Sequence, residues 1–202
     1  MSGNLANQPQ NGNYSYEDYL SWDDGQRYEL INGYAYMLAA PNTQHQRISM
    51  ALSATLFNYL RGKQCEVFAA PFDVRLFRAE EEMKKNYLRV YRKEVVVQPD
   101  LSIVCDPNQL DEQGYNGAPS LVIEILSPSN RHYQEKINAY MAAGIQEFWI
   151  VDPKLRTVYL YLRKDKEYII STVESPGILA SHTFPGLEIT LSDIFPNETS
   201  VR

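Results

Sequence analysis

Three rhythms of apolar and polar positions run along this chain, and each predicts a different kind of element. Ser15 and Asp18 stand three apart just before an apolar segment, the spacing of a capping box, and predict a short helix over residues 16–22. In RYELINGYAYML, the pair Asn32-Gly33 separates two β-type segments and predicts a tight hairpin over 27–38. Ile48, Leu52, Thr55, Leu56 and Tyr59 recur at helical spacing, so residues 44–60 read as an amphipathic helix that packs on a sheet. Two β-rich runs follow, at 65–77 and 94–105. Residues 121–126 are apolar throughout except for Glu124, the pattern of a strand buried on both faces and therefore central.

Beyond Pro128, Tyr133, Ile137, Tyr140, Met141 and Gly144 fall on one helical face, with Gly144 placed to end the helix. Residues 148–151 read as the next strand. Strand, helix and strand in this order make a βαβ unit of a partly parallel sheet. The segments TVYLYL, YIISTV and LEITL then read as further strands at an edge of the same sheet, with 164–167 as a polar turn. The class is α/β (α+β).

Composition narrows this little. Of 202 residues 44% are hydrophobic and 22% charged, which excludes a mainly disordered chain and suits one domain over 15–202. Residues 1–14, rich in Asn, Gln and Gly, read as a disordered tail. No apolar run is long enough to span a bilayer and the N-terminus lacks a signal peptide, so the expected location is cytoplasmic, without membrane contact. Cys65 and Cys105 have neither zinc-site nor disulfide-framework spacing and read as buried free thiols.

A net charge of −6 argues against a sequence-independent nucleic-acid coat. One local exception stands out: Lys84, Lys85, Arg89, Arg92 and Lys93, interleaved with Tyr87 and Tyr91 and with no acid among them. It reads either as a solvated hairpin tip or as a DNA-contacting patch.

Two carboxylates carry the chemistry. Alternation along VVVQPDLSIVC puts Gln98, Asp100 and Ser102 on one side of an otherwise apolar strand, with Pro99 suggesting a bulge or edge; the plainer alternative is a strand side facing solvent. Glu124 emerges from a strand that should be buried, where an ion must be paired or coordinated. Either a basic residue from a packed helix or a hard divalent cation shared with a second carboxylate would satisfy it.

QPDLSIV, PSLVIEILSPS, Lys136, Tyr140 and AGIQEFWIVDP, together with YELINGYAY, His45-Gln46, PFDVRL and FPGLEITLSDIF, resemble the Uma family of restriction endonucleases within the PD-(D/E)XK nuclease superfamily. The resemblance spans residues 16–195. It implies a restriction endonuclease-like αβββαβ core, a mixed sheet flanked by helices, and a metal site at the strand ends.

By that resemblance the motif aspartate is Asp100 and the glutamate Glu124. Leu126 replaces the usual lysine two places on, and the matching lysine is Lys136 on the following helix. His132 stands where the family often has an aspartate. Glu29, His45, Asp73 and Gln98 are accessory candidates: Glu29 also reads as an exposed hairpin residue, His45 as a capping or packing residue, and Asp73 as a partner of Arg75. Lys136 flanks the buried stripe of its helix, so its removal is expected to leave folding intact.

The implied activity is a Mg²⁺- or Mn²⁺-dependent endonuclease acting on DNA, with Asp100 and Glu124 as metal ligands and Lys136 beside the reacting phosphate. A nuclease-fold binding or structural module without catalysis, and a hydrolase of small phosphorylated substrates, are the alternatives. A homodimer is one assembly the resemblance allows.

Overall fold

The structure is a computed structural model that describes residues 14–76, 95–128 and 132–195. The tail expected over 1–14, apart from Tyr14, and the basic segment from Lys84 to Lys93 lie outside the described residues. Tyr14 itself donates its backbone N–H to Gly33 and packs edge-on against Trp22.

The capping box forms as its spacing predicts: helix α1 (Tyr16–Ser21) starts at Ser15, whose hydroxyl accepts from Asp18 N. Strands β1 (Tyr28–Ile31) and β2 (Tyr34–Met37) make the hairpin, and Asn32 and Gly33 both take positive φ, 56° and 80°, as the tight turn requires. Helix α2 (Thr43–Leu60) buries His45, Ile48, Leu52, Leu56 and Leu60.

Each β-rich run then divides at a proline. Residues 65–77 split into β3 (Glu66–Ala69) and β4 (Asp73–Leu76) around Pro71, and 94–105 into β5 (Val95–Val97) and β6 (Leu101–Val104) around Pro99. Proline cannot donate to a ladder, and at both places the chain crosses from one sheet to another. Gln98, Asp100 and Ser102 are therefore not one strand's polar face. Gln98 lies between the sheets, and Ser102 is buried within β6, which removes the solvent-facing alternative.

Strands β7 (Leu110–Asp111) and β8 (Gly114–Asn116) complete a first six-stranded sheet in the order β2-β1-β5-β4-β8-β7. The second sheet runs β12-β11-β10-β9-β6-β3, with β9 (Leu121–Ile125), β10 (Glu147–Asp152), β11 (Thr157–Lys164) and β12 (Glu167–Glu174). As the run around Glu124 predicts, β9 is interior and wholly buried, antiparallel to β6 and parallel to β10. Both sheets are mixed. The last segment departs from expectation. Among the described residues β14 (Glu188–Thr190) pairs only with β13 (Ile178–Ala180), in a separate two-stranded sheet, and leads into the short helix α4 (Leu191–Ile194).

Side-chain alternation gives the second sheet two apolar faces. Leu101, Ile103, Leu121, Ile123, Trp149 and Val151 pack with α2 and the C-terminal elements. Val122, Phe148 and Ile150 pack on the opposite face with Ile137 and Tyr140 of helix α3 (Tyr133–Ala143) and with Ile31, Val74 and Val97 of the first sheet. Gly144 ends α3 in the left-handed conformation. The buried stripe of α3 is rotated from the expected one: Tyr133 and Met141 are exposed, while Lys136, Ile137 and Tyr140 are buried. Packing against two sheets, not one, selects the stripe centred on Tyr140.

Cys65 and Cys105 form a disulfide, correcting their reading as free thiols. The pairing Glu66↔Val104 between β3 and β6 puts the two cysteines opposite each other one step further along, a proximity that linear spacing does not reveal. Among the described residues no helix is long and apolar enough to cross a membrane.

Candidate functional site

The apolar strand β9 places Glu124 on the face turned toward α3 and the first sheet. Continuing the β6–β9 register Leu101↔Ile123 by one pair sets Asp100 opposite Glu124. The Asp100 carboxylate is held in place: Oδ2 accepts from Ile125 N at 2.7 Å, and Oδ1 lies 3.1 Å from His45 Nε2. His45 reaches it from the first turn of α2. Its backbone N–H is satisfied by the N-cap Asn42, and its ring is buried against the site, so it does more than cap or pack.

Lys136 lies at the centre. Its ammonium is 2.7 Å from Glu124 Oε1 and 2.7 Å from Glu29 Oε1, with Gln98 O at 3.4 Å as its third acceptor. Tyr140, one turn further along α3, donates its hydroxyl to the same Glu124 oxygen. Glu29 is fully buried, because β1 is flanked by β5 as well as β2 and is covered by α3. This overturns its reading as an exposed hairpin residue. Its Oε1 also accepts from Gln98 N at 2.7 Å, and its Oε2 lies 2.6 Å from His132 Nε2, whose ring stacks on Tyr36.

The two glutamates share one lysine but titrate apart. Burial acts to raise both. In Glu29, the Lys136 charge and the His132 hydrogen bond overcome burial and hold the carboxyl down at about 2. In Glu124, burial outweighs Lys136, and the nearby Asp100 and Glu29 charges add to it, pushing the carboxyl up to about 8. Lys136, attracted by Glu124, Glu29 and Asp100, has its pKa raised despite desolvation and stays charged. Because Lys136 is equidistant from the two oxygens, the direction for each glutamate follows from its other neighbours: His132 for Glu29, further carboxylates for Glu124.

A second polar cluster adjoins. Gln98 accepts at Oε1 from Arg27 and donates from Nε2 to Asp73 Oδ1 at 2.9 Å, and Tyr19 also donates to that oxygen at 2.9 Å. Burial raises the Asp73 pKa, against the Gln98 and Tyr19 hydrogen bonds. Of the alternatives for Asp73, pairing with Arg75 is not the one formed: Arg75 pairs with Asp111 at 2.5 Å. Asp152 serves its turn, accepting from Lys154 N and Leu155 N.

Asp100, Glu124, Lys136, Gln98, His45 and His132 line one cleft of ≈ 300 Å³ between α2, α3 and the strand ends. Among the described residues no group of three or more His, Cys, Asp or Glu is arranged around a cation. The side chains here that could contribute to holding a cation are the two facing carboxylates, Asp100 and Glu124. Sequence reasoning missed Tyr140 as a site residue, treating it as core, and missed the ring of His132 as the partner of Glu29. The signal for Tyr140 was its position four residues after Lys136, on the same helical face.

Comparison with known proteins agrees with this architecture. A crystal structure of a "putative nuclease belonging to DUF820" from Anabaena variabilis ATCC 29413 superposes with a TM-score of 0.70 at 18% identity, covering 90% of this chain and 97% of that one, which shows a shared fold. An "Uncharacterized protein slr1290" from Synechocystis sp. (strain ATCC 27184 / PCC 6803 / Kazusa) is 28% identical over 154 residues, 74% of each chain. The model of the Uma2 family, described as "Putative restriction endonuclease", matches residues 16–192. With nearly the whole described fold inside that match, the chain belongs to the Uma2 family.

Proposed function

We propose that this protein is a metal-dependent endonuclease that hydrolyses DNA phosphodiester bonds at the Asp100–Glu124 cleft. The observation that carries the reading is a buried lysine held against Glu124 on the strand position facing Asp100. A hydrophobic core has no structural need for three carboxylates around one ammonium, and perturbed ionisable groups that converge in a cleft mark function.

The residues fit a hard cation such as Mg²⁺ or Mn²⁺, which takes one or two carboxylates and otherwise water and phosphate oxygens. Once Glu124 is ionised, as coordination requires, it and Glu29 carry one more negative charge than Lys136 neutralises, and Asp100 adds to the excess. Bound by Asp100 and Glu124, such an ion would lower the pKa of water and offset phosphate charge. His45 and Ile125 N orient the Asp100 carboxylate. Tyr140 and Lys136 hold one oxygen of Glu124, leaving the other for coordination. The weakest Lys136 contact, to Gln98 O, is the one exchangeable for a water or a phosphate oxygen, where the ammonium would stabilise developing negative charge.

The direct test is nicking of supercoiled plasmid DNA by wild type, Asp100→Asn and Glu124→Gln, with Mg²⁺, Mn²⁺ or chelator. Metal-dependent nicking by wild type alone is expected. Wild type that leaves the plasmid intact in both metals, or Asp100→Asn that cuts as well as wild type, would overturn the reading.

A further inference from the structure

Apart from its histidines, the cleft is lined by two acids, Asp100 and Glu124, and two bases, Lys136 and Arg27. Lys136 is buried and engaged by Glu124 and Glu29. Arg27 is exposed and, among the described residues, forms no ion pair. Strand alternation puts it at the rim: Arg27 stands two positions before Glu29, on the same side of the chain, and its carbonyl accepts from Leu38 N to prolong the β1–β2 hairpin.

The guanidinium is nonetheless fixed. Nε and Nη2 both donate to Gln98 Oε1, at 3.0 and 2.7 Å. The oxygen and nitrogen of that amide cannot exchange places, because Nε2 meets Asp73 Oδ1 at 2.9 Å and a carboxylate only accepts. Asp73 and Tyr19, which take no part in the proposed hydrolysis, thus aim a neutral acceptor at Arg27. A neutral amide orients the guanidinium without cancelling its charge, whereas a carboxylate in the same place would do both. Gln98 also turns its backbone oxygen to Lys136, so one residue spaces a cation at the floor of the cleft from a cation at its rim. The wall supplied by α2 adds no opposing charge: residues 30–65 contain no Asp or Glu, and Gln46, Ser49 and Ser53 line the cleft from that helix.

We propose that Arg27 binds a backbone phosphate of the DNA strand, next to the phosphate held at Asp100 and Glu124. The inference rests on that cleft being the DNA site proposed above. A strand carries a negative charge at every nucleotide, so the phosphate beside the reacting one needs a cation of its own outside the buried floor. Arg27 is the exposed cation among the described lining residues. Gln98 occupies the Nε–Nη2 edge of the guanidinium, which leaves the Nη1–Nη2 edge for two phosphate oxygens, the fork geometry in which arginine binds phosphate.

The experiment is fluorescence anisotropy of a labelled duplex oligonucleotide bound by the full chain over a range of KCl concentrations. Ca²⁺ replaces Mg²⁺, a gel verifies that the strand stays whole, and urea midpoints verify folding. Arg27→Gln should weaken binding alike on unrelated sequences and reduce the slope of log Kd against log salt by about 1. Arg27→Lys, which keeps the charge, should keep the slope. Lys164→Gln removes an exposed cation at the end of the second sheet away from Glu124 and should change neither quantity. In plasmid nicking, Arg27→Gln should raise KM more than it lowers kcat. A wild type that binds no duplex would overturn the inference. So would a wild-type slope in Arg27→Gln, a slope lost equally in Arg27→Lys, or an equal loss in Lys164→Gln. DNA binding that depends on Arg27 without any cleavage would uphold this inference and overturn the nuclease reading.

Discussion

Lys136 Nζ lies 2.7 Å from Glu124 Oε1, with the lysine side chain 3% and the glutamate 2% exposed, and the same ammonium is equally close to Glu29. One cation therefore serves two buried carboxylates. Helical position alone put Lys136 at the flank of its stripe, where loss of the side chain would spare the fold. Burial reverses that expectation.

Lys136→Ala should be strongly destabilising, because it leaves Glu29 and Glu124 inside the protein without their cation. Removing one partner of a buried pair typically costs about 3–5 kcal/mol, so a large drop in the urea midpoint is expected at neutral pH. A midpoint within error of wild type would show that water already reaches the pair. Adding Glu29→Gln to Lys136→Ala should recover part of the loss, since Glu29 is the carboxylate that is ionised at neutral pH.

Stability should depend on pH in two opposed ways. Glu124 has a folded pKa near 8, above its unfolded value of 4.5, so its contribution is full below 4.5 and is lost as pH rises through 8. Glu29, held at about 2, contributes stability that is present above 4.5 and lost as pH falls toward 2. Metal-free wild type should therefore lose stability relative to Glu124→Gln between pH 4.5 and 8. Denaturation curves at intervals across that range measure the difference. Parallel curves for the two proteins would exclude a raised Glu124 pKa.

Divalent metal should reverse the alkaline loss. An ion that binds only the folded carboxylate pair stabilises by mass action, by about 2.7 kcal/mol at a hundredfold excess over its Kd. Mn²⁺ titrated calorimetrically into wild type at pH 7.5 should release protons, and Asp100→Asn should bind much more weakly. Equal binding by the two proteins would place the cation elsewhere.

Reduction of the Cys65–Cys105 disulfide, which links cysteines 40 positions apart, should lower stability by about 2–4 kcal/mol. Melting curves with and without a strong reductant read this directly. The Cys65→Ser/Cys105→Ser double variant should match the reduced protein. A reductant effect that persists in this variant would have another origin.

Local sequence signals were enough wherever a residue's neighbours along the chain decide its state. The capping box of Ser15 and Asp18, the Asn32-Gly33 turn, the α2 stripe and the αL cap at Gly144 all depend on contacts within a few residues. The anomaly at Glu124 was legible for a similar reason, since an apolar strand makes a lone carboxylate conspicuous. Asp100 was visible beside a proline in a β-rich run, although not the sheet crossing that this proline creates. Glu29 comes from β1, and His132 and Tyr140 from the N-cap and body of α3, each plain in its local context, and only the packing of α3 against both sheets brings His132 to Glu29 and Tyr140 to Glu124. The same holds for Cys65 and Cys105, joined by the register of β3 on β6. Periodicity specifies which face of an element is buried, but not which other element covers it. The partner of a buried charge or thiol is decided by that covering element, through distances of a few ångströms between residues tens of positions apart.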